Sequence, residues 1–254
     1  MTIKRPSSSR LDGKAAIVTG AGRGIGYAIA AELAARGADV AVTDLDPQRA
    51  SAAAESLGGT AIAAPGDASD AAHVQAVVAQ AEERFGKVDI LVNNAGMDRA
   101  VPILELGEDE WDRFMAVNLK SAFLFSKAVL PGMIARASGR IVCMSSIVAH
   151  QGAMNGGIHY ATTKAGLLGF ARTLARQMAK TGVTVNAIAP GVVDTDLIRE
   201  HMRPEMRERV TQAIPLGRLA DAAEIGRAVA FLVSDDASYV TGATLDVNGG
   251  FWIG

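Results

Sequence analysis

Ala15-Ala16-Ile17-Val18-Thr19-Gly20-Ala21-Gly22-Arg23-Gly24-Ile25-Gly26 decides the reading of this chain. Ala15 to Thr19 is a short apolar run stopped by glycine, which suits a buried strand. A helical pattern follows from about Gly24 to Arg36 and stops at Gly37. Between them lies a glycine turn, Gly20-x3-Gly24-x-Gly26, which is not the common G-x-G-x-x-G spacing. Amides at such a helix start point outward, and the helix dipole favours negative charge there. Strand, glycine turn and helix together make a phosphate cradle, whereas a glycine cluster alone would be only a tight turn.

Outward from this unit the pattern repeats. Strands are expected at 39–43, 60–64, 88–92, 140–145, 183–189 and 244–247. Helices are expected at 48–57, 71–85, 108–117, 119–135, 159–179 and 222–232. Strands separated by helices of this length imply parallel βαβ units with right-handed crossovers. Near-continuous apolar strands imply a sheet covered on both faces. The fold expected is α/β, a Rossmann-like doubly wound parallel sheet of about seven strands. It forms one domain over 11–254, after a flexible polar tail at 1–10. Residues 191–215 are too long for a simple connection, and Leu197, Ile198, Met202 and Met206 recur there at helical spacing. This segment reads as a substrate loop or lid.

Composition narrows the chemistry. The 254 residues carry a net charge of −2 and are 49% hydrophobic, with no basic excess to attract nucleic acid. The one cysteine, Cys143, lies in a strand and reads as a small buried hydrophobe. With four scattered histidines it makes no metal-ligand spacing, so no metal is expected. His150 and His159 fall near the expected pocket, but without a recognisable partner each reads as structural. No apolar run is long enough to span a membrane, and the N-terminus lacks a signal-peptide pattern, so a cytoplasmic protein is expected.

Asp44 ends the second strand about 20 residues beyond the glycine turn, where a carboxylate accepts the adenosine-ribose hydroxyls and repels a 2′-phosphate. Arg23, within the turn, pulls the other way, because a guanidinium pairs with phosphate. The carboxylate is taken as the stronger discriminator, and the cofactor expected is NAD in preference to NADP.

Tyr160 and Lys164 stand four apart at the start of the longest helix, hence on one face. A free phenol has a pKa near ~10. A cation ~4 Å away at an effective dielectric near ~20 supplies roughly the 3–4 kcal/mol needed to lower it by two or three units. The pair is therefore expected to act as an acid/base with a lowered tyrosine pKa.

At this point a family is recognisable. Thr19-Gly20-x3-Gly24-Ile25-Gly26, Asn93-Asn94-Ala95-Gly96, Asn118, Ser145-Ser146, Tyr160-x3-Lys164, Pro190-Gly191 and Asp246-Val247-Asn248-Gly249-Gly250 occur in this order. From about Leu11 to Gly254 the chain resembles the short-chain dehydrogenase/reductase family. The resemblance implies Tyr160 as general acid/base and Lys164 as both ribose ligand and modulator of the tyrosine. It implies Ser146 bonding the substrate oxygen, and Asn118 holding a water that relays protons from Lys164. Asp67 and Ala68 would meet the adenine and Asn94 its ribose region. Val193 and Thr195 would meet the carboxamide, with Gly96 and Pro190 in the same cleft. It also implies a homotetramer. One departure stands out: Ser146 precedes Tyr160 by 14 residues, one more than is commoner in the family, so the intervening loop bordering the substrate pocket is lengthened.

The function expected is an NAD-dependent oxidoreductase acting on a secondary alcohol or ketone of sugar, polyol or hydroxy-acid type. Two other readings stand beside it. One is an NADPH-dependent reductase of 3-oxoacyl thioesters; the other is a dinucleotide sensor without turnover, against which the intact Asn118, Ser146, Tyr160 and Lys164 set argues.

Overall fold

The computed structural model describes residues 10–153 and 157–254, so the expected tail at 1–9 and part of the loop before Tyr160 lie outside the described residues. Strands β1 (Ala15–Thr19), β2 (Asp39–Thr43), β3 (Ile62–Ala63), β4 (Ile90–Asn93), β5 (Gly139–Met144), β6 (Val183–Pro190) and β7 (Thr244–Val247) form one sheet in the order β3-β2-β1-β4-β5-β6-β7. Every pairing is parallel. The order reverses between β1 and β4, which opens a crevice at the carboxyl ends of those strands.

Helices α1 (Gly24–Ala35), α2 (Pro47–Leu57), α3 (Ala71–Phe85), α4 (Glu108–Met115), α5 (Ser121–Ala135), α6 (Val148–Gln151), α7 (Ile158–Met178), α8 (Asp196–His201), α9 (Pro204–Ala213) and α10 (Ala222–Val233) complete the chain. Each strand sends alternate side chains to opposite faces. Val18, Val42 and Val142 join Ile29 and Leu33 of α1 and Val229 of α10 in one core layer. Ile17, Leu91 and Ile141 join Val77 of α3, Phe125 of α5 and Leu167 of α7 in the other. Burial on both faces explains the uninterrupted apolar strands.

Local chemistry sets several boundaries. Asp46 accepts from the Gln48 and Arg49 amides before Pro47 opens α2, and Gly86 closes α3 in the left-handed region at φ 79°. The chain differs from the sequence reading at β3 and between residues 108 and 135. Strand β3 is shorter than expected, because Gly58 and Gly59 just before it hold left-handed backbone that cannot pair. The expected helices at 108–117 and 119–135 are one continuous run, joined by a π-helical turn over Ala116–Lys120 that carries Asn118. The segment 191–215 contains α8 and α9, tied by Asp194, whose Oδ1 accepts from Arg199 Nε at 3.2 Å and from Arg207 Nη1 at 2.8 Å. Among the described residues no helix is long and apolar enough to cross a membrane, and no cluster of His, Cys, Asp and Glu could hold a metal ion.

Candidate active site

A cleft of about 1480 Å³ runs along the carboxyl ends of the strands, from Asp44 and Asp67 at one end to the helices α8 and α9 at the other. Its floor is the turn between β1 and α1. A Cβ on Gly26 would lie 2.1 Å from the Gly20 carbonyl oxygen, so only glycine lets the helix start this close to the strand. Asn94 braces the turn from β4, its Nδ2 donating to Thr19 O at 2.9 Å and Gly20 O at 3.1 Å. Thr19 answers from β1, its hydroxyl accepting from the amides of Asn94 at 2.9 Å and Ala95 at 2.8 Å. Asn94 thus shapes the floor of the cleft. Ile25 and Gly24 also border the cleft, and Arg23 is exposed beside it.

At the adenosine end Asp44 is half-buried. Its Oδ2 accepts from the Gly22 amide at 3.1 Å and its Oδ1 from the Asp46 amide at 3.0 Å. Asp67 accepts from Ser69 through both the amide, at 2.8 Å, and the hydroxyl, at 2.7 Å, which holds its carboxyl below the usual range. Ala68 lines the same wall.

The reacting end is built on β5 and α7. Tyr160 and Lys164 share the first turns of α7 and the same cleft wall, as expected. Ser145 and Ser146 divide the work at the end of β5. Ser145 donates to the Lys164 carbonyl at 2.7 Å, while Ser146 lines the cleft with Tyr160. Lys164 is buried, and its Nζ donates to Met144 O at 2.8 Å. Burial presses its pKa down to about 8, partly offset by Asp98.

One expectation changes here. Desolvation, then Asp98, pushes Tyr160 up to about 12, against a smaller lowering by Ser146. The expected depression by Lys164 is missing because its ammonium is turned to Met144, 5.6 Å from the phenol ring centroid. Asn118 clasps the loop that follows Gly96 with its side chain. Its Oδ1 accepts from Met97 N and its Nδ2 donates to Met97 O, both at 2.9 Å. This clasp fixes the loop at Gly96, where a Cβ would sit 3.5 Å from both Asn118 Oδ1 and Lys164 Nζ.

Pro190 and Val193 line the wall above the reacting end, and Thr195 caps α8 through the Ile198 amide at 3.4 Å. The expected lid residues Leu197, Ile198, Met202 and Met206 all face the cleft, with Phe251 beside them. The sequence reading missed Asp98 and Phe251. Asp98 follows the Asn93-Asn94-Ala95-Gly96 turn at the end of β4, a position that marks it as a cleft residue once the sheet order is known.

A glycine cradle at a helix start, a carboxylate at the tip of β2 and a Ser-Tyr-Lys set at the switch point define a dinucleotide-binding oxidoreductase. The chain belongs to the short-chain dehydrogenase/reductase family, whose members bind a nicotinamide dinucleotide. Residues 20–252 match the family model described as enoyl-(acyl carrier protein) reductase. The 3-oxoacyl-[acyl-carrier-protein] reductase FabG of Escherichia coli is 44% identical over 243 residues, covering 95% of this chain and 98% of that protein. FabG of Pseudomonas aeruginosa is 44% identical over 246 residues, covering 96% and 99%. A crystal structure described as a short-chain alcohol dehydrogenase of Sinorhizobium meliloti 1021 superposes with a TM-score of 0.90 at 36% identity, covering 96% of this chain and 98% of that one.

These relatives overturn the expectation of a sugar, polyol or hydroxy-acid substrate. Proteins 44% identical over nearly the whole chain are named for reducing a 3-oxoacyl group, the reading set beside it above. The spacing of Tyr160 and Lys164 speaks only to the reacting end of the cleft and leaves the rest of the substrate unread. The comparisons also lend no support to NAD over NADP.

Proposed function

We propose that the protein reduces the 3-oxo group of an acyl thioester to a hydroxyl. The observation that carries this reading is the lid face opposite Tyr160. Leu197, Ile198, Met202, Met206 and Val210, with Phe251, line the cleft with methyl, thioether and ring carbons. An alkyl chain gains by burial there at roughly 25 cal/mol per Å², whereas polyol hydroxyls would lose their water without partners. The names of the full-length relatives point the same way.

Reduction also suits the tyrosine. A phenol held near 12 stays protonated at neutral pH and is ready to donate. When bound, the reduced nicotinamide supplies the hydride. Ser146 and Tyr160 hold the ketone oxygen, and the Tyr160 proton passes to it as the alcohol forms. Lys164, with one donor spent on Met144, has the others available to a ribose hydroxyl. Gly20, Gly24 and Gly26 would hold the pyrophosphate, with Asp67 and Ala68 beside the adenine, and Val193 and Thr195 at the carboxamide.

The dinucleotide is read as NADH. Asp44 presents a carboxylate at the ribose end, where a 2′-phosphate would meet like charge. The exposed Arg23 is the feature that would favour NADPH instead. Self-association, as the homotetramer, belongs to the same reading: Phe123 and Ile134 of α5 are 47% and 42% exposed, and Ala165 and Gly169 of α7 present small residues to solvent.

The test is direct. Purified protein should oxidise NADH or NADPH with acetoacetyl-coenzyme A and with 3-oxoacyl-acyl carrier protein. Absence of turnover with every 3-oxoacyl thioester would overturn the reading.

A further inference from the structure

His159 immediately precedes Tyr160 and is wholly buried, 0% exposed. Its ring lies on Phe114 of α4, with centroids 3.7 Å and planes 28° apart. Its Nε2 faces Glu110 Oε1 across 3.5 Å. Neither ring nitrogen nor that carboxylate oxygen has a hydrogen-bond partner. The other Glu110 oxygen accepts from Arg99 Nη1 at 3.1 Å, on the loop that leaves Gly96. Gly157 makes room above the ring: a Cβ there would lie 1.9 Å from His159 Cε1 and 2.4 Å from Arg99 O.

A wholly buried imidazole and a carboxylate oxygen left beside it without hydrogen bonds are expensive, and an apolar residue would fill the space more favourably. The first turn of α7 gives a reason to keep them. Its N-cap is Gly157, which has no side chain to bind the free amides. The turn that presents Tyr160 therefore lacks the usual anchor.

We propose that His159 and Glu110, facing each other across 3.5 Å, act as a positioning pair for Tyr160, anchoring the turn that the missing cap leaves free. The link runs from Arg99 through Glu110 to His159, and so ties the loop beside Lys164 to the backbone that carries the phenol. Neither residue touches the reacting atoms. Their effect is on where the Tyr160 hydroxyl stands relative to Ser146, and a small misplacement there acts on the chemical step more than on binding. The proposal rests on the reading of Tyr160 as proton donor.

The chain has three tyrosines, so ring-labelled tyrosine gives three resonances, and Tyr160→Phe identifies the one of interest. Glu110→Gln and His159→Phe should each shift or broaden the Tyr160 resonance and leave Tyr27 and Tyr239 in place. Each should lower kcat ~10–100-fold while the KM for the dinucleotide stays within about twofold. The double variant should be no worse than the poorer single one. An unmoved Tyr160 resonance together with wild-type kcat in Glu110→Gln overturns the proposal, even should His159→Phe fail to fold. If the wild type reduces no thioester, the function is misread and the resonance alone decides the pair.

Discussion

Lys164 and Met144 are joined across the base of the cleft: the Lys164 ammonium donates to the Met144 carbonyl at 2.8 Å. The bond ties the end of β5 to α7 and aims the lysine while its stem is buried. Burial presses the lysine from an ordinary 10.5 to about 8. Between those values the unfolded chain binds a proton that the folded chain has released, so stability rises with pH across this window. Tyr160 acts oppositely above 10, where its raised value of about 12 makes the folded chain the better proton binder and stability falls. Urea midpoints of the protein without dinucleotide should show a rise from pH 8 towards 10, and Lys164→Met should flatten it.

Tyr160→Phe removes the proton donor and little else. Turnover should fall at least ~10²-fold, while NADH titrated by fluorescence should bind within a few-fold of wild type. Reduction by the wild type should show no loss attributable to Tyr160 up to about pH 10, because the phenol is held near 12. A loss centred near neutrality would place the proton donor elsewhere.

Asp44→Asn should relax the choice of dinucleotide. Both oxygens of Asp44 accept backbone amides, and asparagine keeps one such acceptor while removing the charge. Unit charges ~4 Å apart at an effective dielectric near ~20 interact by about 4 kcal/mol, so the NADH-to-NADPH ratio of kcat/KM should narrow by at least about tenfold. A wild-type preference for NADPH would make Arg23 the deciding residue.

Gly26→Ala should damage the cradle. The added methyl would lie 2.1 Å from the Gly20 carbonyl, forcing strand and helix apart at a cost of ~1–3 kcal/mol. Dinucleotide affinity should fall more than the melting temperature alone explains, as calorimetric titration of the folded fraction would show.

The segment 191–215 gives a fifth measurement. Asp194 is held well below the carboxylate range, at about 2, by its hydrogen bonds to Arg207 and Arg199. Asp194→Asn should loosen α8 and α9, speeding proteolysis within 191–215 and raising the thioester KM more than it lowers kcat. In the wild type, dinucleotide and thioester together should slow that cleavage; equal rates with and without them would rule out a closing segment.

Much of this was legible in the sequence for a physical reason. A sheet buried on both faces writes itself as apolar runs, so β1 and β2 fall where the pattern puts them. Tyr160 and Lys164 were legible because a spacing of four fixes a shared helical face whatever surrounds it. The clasp of the Asn118 amide on Met97 was not legible, since nothing local shows that a π turn would swing it there. The Tyr160 pKa was read downward because spacing gives the separation along the helix and not the direction of the ammonium, which Met144 sets. The proposed acyl pocket was not legible for a related reason. It would be assembled from α8 and α9 with Phe251 from near the end of the chain, through apolar side chains that carry no reactive group.

The clasp between Thr19 and the Asn94 and Ala95 amides also bears on how the cleft comes to exist. It sits on the seam where β1 meets β4, whose other end carries the Ala15 amide's 3.0 Å bond to Asp89, which spans 74 residues of chain. Pairing across so long an intervening segment is slow, since the loop must close before any contact rewards it. β1, β2 and β3 are close together in the chain, but they do not by themselves make a binding floor. The cleft is created in the step that unites the two halves of the sheet, and the dinucleotide stabilises only chains that have completed it.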